Sequence, residues 1–353
     1  MLKKIYLALC ILVVALAIFV LIGGKIKSFG RIFLATTDKK GVSYGDLYTI
    51  GEIDAFRFPI TGVSSNEKDT IDSAKVIAMG DSFLGIKFGS KVLPNELEDD
   101  IKLPVYGVPV TIEDPLKYLE SIHYQKGAKK IIIVESVERE VVSRALSYGT
   151  PAATASADWS LKKEIDDIDY AIFDMTDVDY FFKHNIFINP VRLFLKNLNF
   201  SLLGRMDSRI GAYSLQPPML FYFEEVNFDK NLHNTELAPK VADNIKKLAN
   251  TLQQKYNLEM IYVVIPNKYT IYNDLDKQGS YNGFMPRLQT ELAKRQINYV
   301  DLYSDYMANR NGSQLLYYPN DSHFTPWGKK ILADELTKKI KKITGTSKNS
   351  SPE

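Results

Sequence analysis

The 353-residue chain predicts an α/β fold, a three-layer α/β/α sandwich with a mainly parallel sheet. Three observations carry it. Short apolar, β-branched runs alternate with amphipathic helical periods between residues 70 and 340, the signature of βαβ units with right-handed crossovers. A composition of 45% hydrophobic and 24% charged residues suffices for one large core or two smaller ones. One aromatic-rich interval, about residues 146–234, breaks the alternation and is too long for an ordinary strand-to-helix connection.

The chain opens with an anchor. No charge interrupts Ile5 through Ile22, and at ~1.5 Å per residue that run makes about 27 Å of helix, close to the hydrocarbon thickness of a bilayer. Gly23-Gly24-Lys25-Ile26-Lys27 offers no small-residue cleavage site, so residues 1–27 read as a retained membrane span and not as a cleaved signal peptide. Leu7-Ala8-Leu9-Cys10 is a poor lipoprotein box, because Leu9 is large and the apolar run continues past Cys10. Lys3 and Lys4 precede the span while Lys25, Lys27 and Arg31 follow it, so positive charge alone does not put the C-terminal region outside. Residues 28–69, with Gly and Ser turns, read as a stalk and entry segment.

The core elements follow in order. Ala74–Met79 reads as a first buried strand, ended by Gly80, and Val105–Val110 as a second. Pro115–Tyr124 is helical and Lys130–Val134 a strongly β-branched third strand. The interval 146–234, with Asp158-Trp159, Asp166-Asp167, Phe181-Phe182 and Phe221-Tyr222-Phe223, reads as a cap inserted over the strand ends. Its aromatics either stack on sugar rings or pack the cap onto the core. Pro239–Tyr256 has apolar residues at Val241, Ile245, Leu248 and Leu252, a helical spacing, and Met260–Ile265 follows as a strand. Arg287–Arg295 is a helix, Ile297–Leu302 the last strand, and Trp327–Ile340 the closing helix, with Pro326 at its first position. The Lys/Ser-rich tail, residues 341–353, is expected to be disordered.

Composition also excludes. Lys+Arg 44 against Asp+Glu 42 gives a net charge of +2, too balanced for nucleic acid as a partner. The single cysteine, Cys10, lies in the anchor, which leaves no disulfide, thiolate metal site or cysteine nucleophile for the folded part. His123, His184 and His233 lack a carboxylate at useful spacing and read as structural, and no metal site is expected.

Two segments carry chemistry. Met79-Gly80-Asp81-Ser82-Phe83 places Ser82 just past a strand's carboxyl end, where open parallel sheets bind ligands. Asp321-Ser322-His323-Phe324-Thr325-Pro326-Trp327-Gly328 places a carboxylate and an imidazole two residues apart in a loop. A serine becomes nucleophilic near neutral pH when an imidazole takes its proton and a carboxylate fixes the imidazole's tautomer. Ser82, His323 and Asp321 are the candidates. The inert alternatives are Ser82 as a helix N-cap and His323 as a surface loop residue.

Gly80-Asp81-Ser82-Phe83 with the C-terminal Asp/His pair resembles the SGNH (GDSL-type) hydrolase superfamily. The wording Asp-x-His-Phe-Thr-Pro-x-Gly is similar to its membrane-anchored, alginate O-acetyltransferase-like branch, as are Ile265-Pro266-Asn267-Lys268 after a central strand and Val134-Glu135-Ser136-Val137-Glu138-Arg139-Glu140 at a strand end. The resemblance implies a flavodoxin-like sheet and an acyl-Ser82 intermediate. It further implies transfer of the acyl group, acetyl in that branch, to a hydroxyl of a cell-envelope polysaccharide, without a cofactor. It implies a bacterial cell-membrane protein with the catalytic domain on the periplasmic or extracellular side, working beside a membrane-bound O-acyltransferase. It assigns the Ser82 N–H and Gly107 to the oxyanion hole, where Gly107 is otherwise a turn glycine. Three departures stand out: Asp321-x-His323 replaces the common Asp-x-x-His, with Asn320 three before His323; Ser82 precedes the Asp/His motif, where the best-known alginate members have it after; and no Gly-x-Asn-Asp block supplies an oxyanion Asn. Arg139 is then a third oxyanion donor or an anion contact oriented by Glu138, or else an ordinary surface ion pair, and Lys268 is a substrate contact or a solvated charge. The same triad serves an esterase or deacetylase, and a non-catalytic carbohydrate-binding or assembly subunit could retain the same fold.

Overall fold

Five strands form one sheet in the computed structural model: β1 (Val76–Met79), β2 (Val105–Gly107), β3 (Lys130–Val137), β4 (Leu258–Ile265) and β5 (Tyr299–Val300). The structure describes residues 1–34, 42–62, 71–85, 91–109, 114–149, 176–231, 236–277, 279 and 281–345. Val110, Asp158-Trp159, Asp166-Asp167, His233 and the tail from residue 346 lie outside them. The strand order is β2-β1-β3-β4-β5, and every neighbouring pair is parallel.

Burial along the strands explains why their sequences lack a polar alternation. Val76, Ala78, Ile131, Ile133, Ile261 and Val263 join one apolar cluster, with the helix Leu93–Ile101 and the closing helix Pro326–Thr344. Ile77, Met79, Ile132, Val134, Met260 and Tyr262 join a second, with the helices Glu138–Ser147, Leu237–Tyr256 and Phe284–Lys294. Successive side chains point to opposite faces of a sheet, so both faces are covered and the domain has three layers. Each side chain such as Leu332 or Leu336, removed completely from water, contributes about 1.5–3 kcal/mol.

Element boundaries moved where tertiary packing overrode local pattern. The third strand runs to Val137 and not Val134, because Glu135, Ser136 and Val137 stay in register with Val263, Val264 and Ile265. The last strand shrinks to Tyr299–Val300, and Asp301, accepting from Ser304 N–H at 3.0 Å, caps a helix Leu302–Asn309 that the pattern did not announce. The closing helix continues to Thr344, so the first residues assigned to the tail are helical.

Two units divide the chain: Met1–Lys40, Glu52–Asp54 and Pro151–Met206 form one, and Gly41–Gly51, Ala55–Thr150 and Asp207–Glu353 the other. The interval read as a single cap therefore divides between them. Its hairpin Ile210–Leu215/Pro218–Tyr222 and helix Phe223–Asn231 belong with the sheet, and Met219 and Phe221 are buried in the first cluster. In the other unit the N-terminal helix Leu2–Lys25 is long and apolar enough to cross a membrane. Val20 packs there with Val178 and Phe181 of the helix Thr176–His184.

Candidate active site

The chain leaves β1 at Met79 and turns through Gly80 and Asp81, so that Ser82 opens a one-turn helix, Ser82–Gly85. Gly80 is demanded by close approach, since a Cβ there would lie 2.1 Å from Glu135 Oε2. That oxygen accepts from the Asp81 N–H at 2.8 Å. Burial, reinforced by the charge of Asp81, pushes the Glu135 carboxyl well above the usual range. Asp81 Oδ1 accepts from the Phe83 N–H at 2.9 Å. Asp81 thus does the capping that would otherwise occupy Ser82, and the exposed Ser82 hydroxyl is left for another partner.

That partner is His323. Ser82 Oγ lies 2.7 Å from His323 Nε2, across 241 positions of sequence. The other ring nitrogen, Nδ1, is 2.6 Å from Asp321 Oδ1, which also accepts from the His323 N–H at 2.9 Å. Asp321 is buried and accepts at Oδ2 from the Asp46 N–H at 2.9 Å. Burial opposes protonation of the imidazole, but the hydrogen bond and charge of Asp321, with Asp46 and Asp81 behind it, outweigh burial and raise the His323 pKa above its ordinary 6.5. Burial pushes the Asp321 carboxyl up, and the bonds from His323 and Asp46 more than reverse this, leaving it below the usual range.

Remote side chains hold the loop that carries this pair. A bridge between Tyr317 and Phe324 closes its neck, and Tyr318 N–H donates to His323 O at 3.1 Å. Lys268 Nζ donates to Pro319 O and Asp321 O, both at 3.0 Å. Asn320 Nδ2 donates to Tyr44 O at 2.6 Å and Phe58 O at 2.7 Å. Asp46 accepts from the Ser322 N–H at 2.8 Å and from its hydroxyl. Gly45, at φ +81°, carries the chain past the Asn320 carbonyl so closely that no Cβ would fit. Asp46 lies in the segment read as a stalk, and only the Gly45-Asp46 pair could have hinted at a turn there.

Lys268 and Glu138 correct the expectation of substrate contacts. Lys268 is fully buried and not solvated, and burial lowers its pKa to about 8 despite the opposing charges of Glu225, Asp46 and Asp321. Glu138 is also fully buried. It accepts from Asn267 N–H at 2.8 Å, Thr270 Oγ1 at 2.6 Å and Tyr281 OH at 3.1 Å. Burial raises its pKa to about 7 against those bonds. Glu138 therefore shapes the turn that presents Lys268, and Lys268 ties down the loop. Both are positioning residues.

Arg139 makes ion pairs with Glu225 at 3.5 Å, Glu224 at 3.7 Å and Glu140 at 3.8 Å, and its guanidinium lies 5.7 Å from the centre of the Tyr222 ring. Its backbone N–H donates to Asn267 Oδ1 at 3.2 Å. These ion pairs are partly buried, the Glu225 side chain almost completely, and none of these contacts is at Ser82 or His323. Gly107 is the last residue of edge strand β2, opposite Ala78 of β1, and so a strand residue and not a turn glycine. The Asp81 and Phe83 N–H groups are occupied, whereas the Ser82 N–H donates to no acceptor among the described residues.

Asp46, Asp321 and His323 offer donor atoms all within 4.8 Å of one another, the spacing of a metal ligand set. Each is already engaged, Asp46 by Ser322, Asp321 by Asp46 N–H and His323, and His323 by Ser82. The arrangement suits a proton relay better than a cation site.

A family model described as SGNH hydrolase-like domain, acetyltransferase AlgX, matches residues 218–351. Over that span the chain is similar to an SGNH hydrolase-like domain of the AlgX kind. The matched span holds Lys268, Asp321 and His323, while Ser82, Gly107 and Arg139 precede it. No curated protein and no solved structure matches the chain.

Proposed function

We propose that the protein is a membrane-anchored serine acyltransferase that passes an acyl group, acetyl by the family description, through Ser82 to a hydroxyl of a cell-envelope polysaccharide. The observation that carries the reading is the Ser82 Oγ to His323 Nε2 distance of 2.7 Å, continued at 2.6 Å to Asp321. His323 Nε2 takes the Ser82 proton as Oγ attacks the acyl carbonyl, then returns it to the departing oxygen, leaving acyl-Ser82. An acceptor hydroxyl repeats the cycle in reverse, giving its proton to Nε2 while the Ser82 oxygen leaves. The free Ser82 N–H is the first donor for the developing oxyanion, and Gly107 on the neighbouring strand is the second candidate. Water in place of the sugar makes the same residues an esterase, so exclusion of water at the acceptor side separates the two outcomes.

The apolar N-terminal helix supports retention at a membrane, with the SGNH-like domain on the periplasmic or extracellular side, where such a polymer lies. A membrane-bound O-acyltransferase is the partner of the chemistry required, since the SGNH-like domain needs an acyl donor delivered across the membrane. A fluorophosphonate probe tests the nucleophile. Ser82 should label, Ser82→Ala should not, and Ser82→Ala and His323→Ala should each lower turnover of a small acetyl ester by about 10⁶-fold with the fold intact. Mass spectrometry of candidate oligosaccharides incubated with an acetyl donor should find one acetyl added per modified hydroxyl. Folded protein that neither labels nor turns over would favour a carbohydrate-binding or assembly subunit.

A further inference from the structure

The helix Ile188–Leu203 is built inside out. Phe187, just before it, and Val191, Phe194, Leu195, Leu198 and Leu202 fall within an arc of about 100° at 3.6 residues per turn, and all are exposed, Phe194 by 65% and Leu202 by 72%. No residue of the helix is buried. Its polar side chains face the protein instead: Arg192 and Lys196 both bond Glu52 at 2.6 Å, and Asn197 accepts from the Asp54 N–H at 2.9 Å. An ordinary surface helix turns its apolar arc inward and its charges outward.

The apolar arc is joined to the N-terminal helix within the same unit. Phe19 stacks edge-on with Phe33 and Phe181 at 5.2 and 5.6 Å, and Phe33 reaches Phe187 at 6.2 Å. Leu34 bridges to Asn185, whose side chain accepts from Phe187 and Ile188 N–H groups and starts the helix. The lipid-facing surface of the span and the exposed arc are thus linked by one aromatic cluster at the end where the span finishes, next to Lys25 and Arg31. Aromatic and basic residues gather at the membrane interface, and helices of this polarity lie in its plane with the apolar side among the acyl chains.

We propose that the helix Ile188–Leu203 lies in the membrane interface with its apolar arc embedded in the leaflet from which the N-terminal span emerges. The inference rests on reading Leu2–Lys25 as a membrane anchor. Its consequence is that the unit carrying the anchor is held at the lipid surface by two elements instead of one, which restricts its tumbling on the span.

The full chain in phosphatidylcholine vesicles tests this by tryptophan fluorescence, with bromines on the acyl chains as quenchers and the parent's Trp159 and Trp327 as background. Phe194→Trp and, independently, Leu198→Trp should lose most of their added emission in brominated vesicles. Val13→Trp reports the anchor. If Val13→Trp is quenched and neither arc variant is, the interfacial helix is overturned while the anchor stands. If the arc variants are quenched and Val13→Trp is not, the helix binds lipid and the anchor reading fails. Arc emission that is blue-shifted but untouched by bromine means that protein, a second copy or another part of this chain, covers the face, and that also overturns the proposal.

Discussion

The two halves of the candidate site are positioned by different means. Ser82 is placed by backbone: a buried parallel strand ends, Gly80 permits a tight turn against Glu135, Asp81 caps, and the hydroxyl projects beyond the sheet. Asp321 and His323 sit in a loop with no regular structure of its own, held from two distant segments by Asp46 and the buried Lys268, and by the loop's own buried Asn320 reaching to Tyr44 and Phe58. The strand end rests on its own backbone and one neighbouring strand, through Glu135. A loop needs tethers, and each tether is a separate point of failure.

Asp321→Asn tests the loop half hardest. The amide cannot hold the imidazole in the tautomer that accepts from Ser82, so turnover should fall about 10⁴-fold. The sign of its pH effect follows from the bonds. Asp321 is what raises His323 above its ordinary 6.5. The wild-type acid limb of kcat/KM should therefore lie above that value, with activity lost as pH falls through it, and the variant's limb should move to lower pH. An unmoved limb would mean that another group carries the proton.

Lys268→Met sharpens the comparison, because it touches neither Ser82 nor His323 and breaks only a tether. A misplacement of about 1 Å costs on the order of 10²-fold, and that loss should appear in kcat with fluorophosphonate labelling slowed but not abolished. Removing a buried ammonium from between Glu225 and Asp321 should also destabilise by about 3 kcal/mol, read as a lowered denaturant midpoint. Undiminished kcat in folded Lys268→Met would break the tether argument. Asp46→Ala should do least, about 10-fold, since its backbone N–H still reaches Asp321. Its lost charge should again shift the acid limb down, by less than Asp321→Asn, and a purely structural role would leave that limb in place.

Much of the fold was legible. The β-branched runs became β1, β3 and β4, and Val241, Ile245, Leu248 and Leu252 lie on one buried helix face as their spacing required. The position of Ser82 past a strand end was equally visible, because the strand and the Gly80 that ends it adjoin it in sequence, whereas the Glu135 contact that holds the turn lies 54 residues beyond Asp81. Lys268 and Glu138 misled for a physical reason. A charged residue after a strand looks solvated in sequence, and only the complete set of partners, Pro319 and Asp321 for one and Asn267, Thr270 and Tyr281 for the other, makes its burial affordable. Asp46 was missed because its function is to meet Ser322 and Asp321, some 275 residues on.

From its residues alone this chain determined a layered α/β domain, an apolar leading helix, and a serine and an Asp/His pair set in suggestive local contexts. Periodicity and turn chemistry are local, and local rules read them. Tertiary structure alone decided that those groups meet at 2.7 Å, which charges are enclosed, and that one amphipathic helix turns its apolar side outward. Contact and burial depend on the crossover order of the sheet and on every element packed against it, and no window of sequence contains that information.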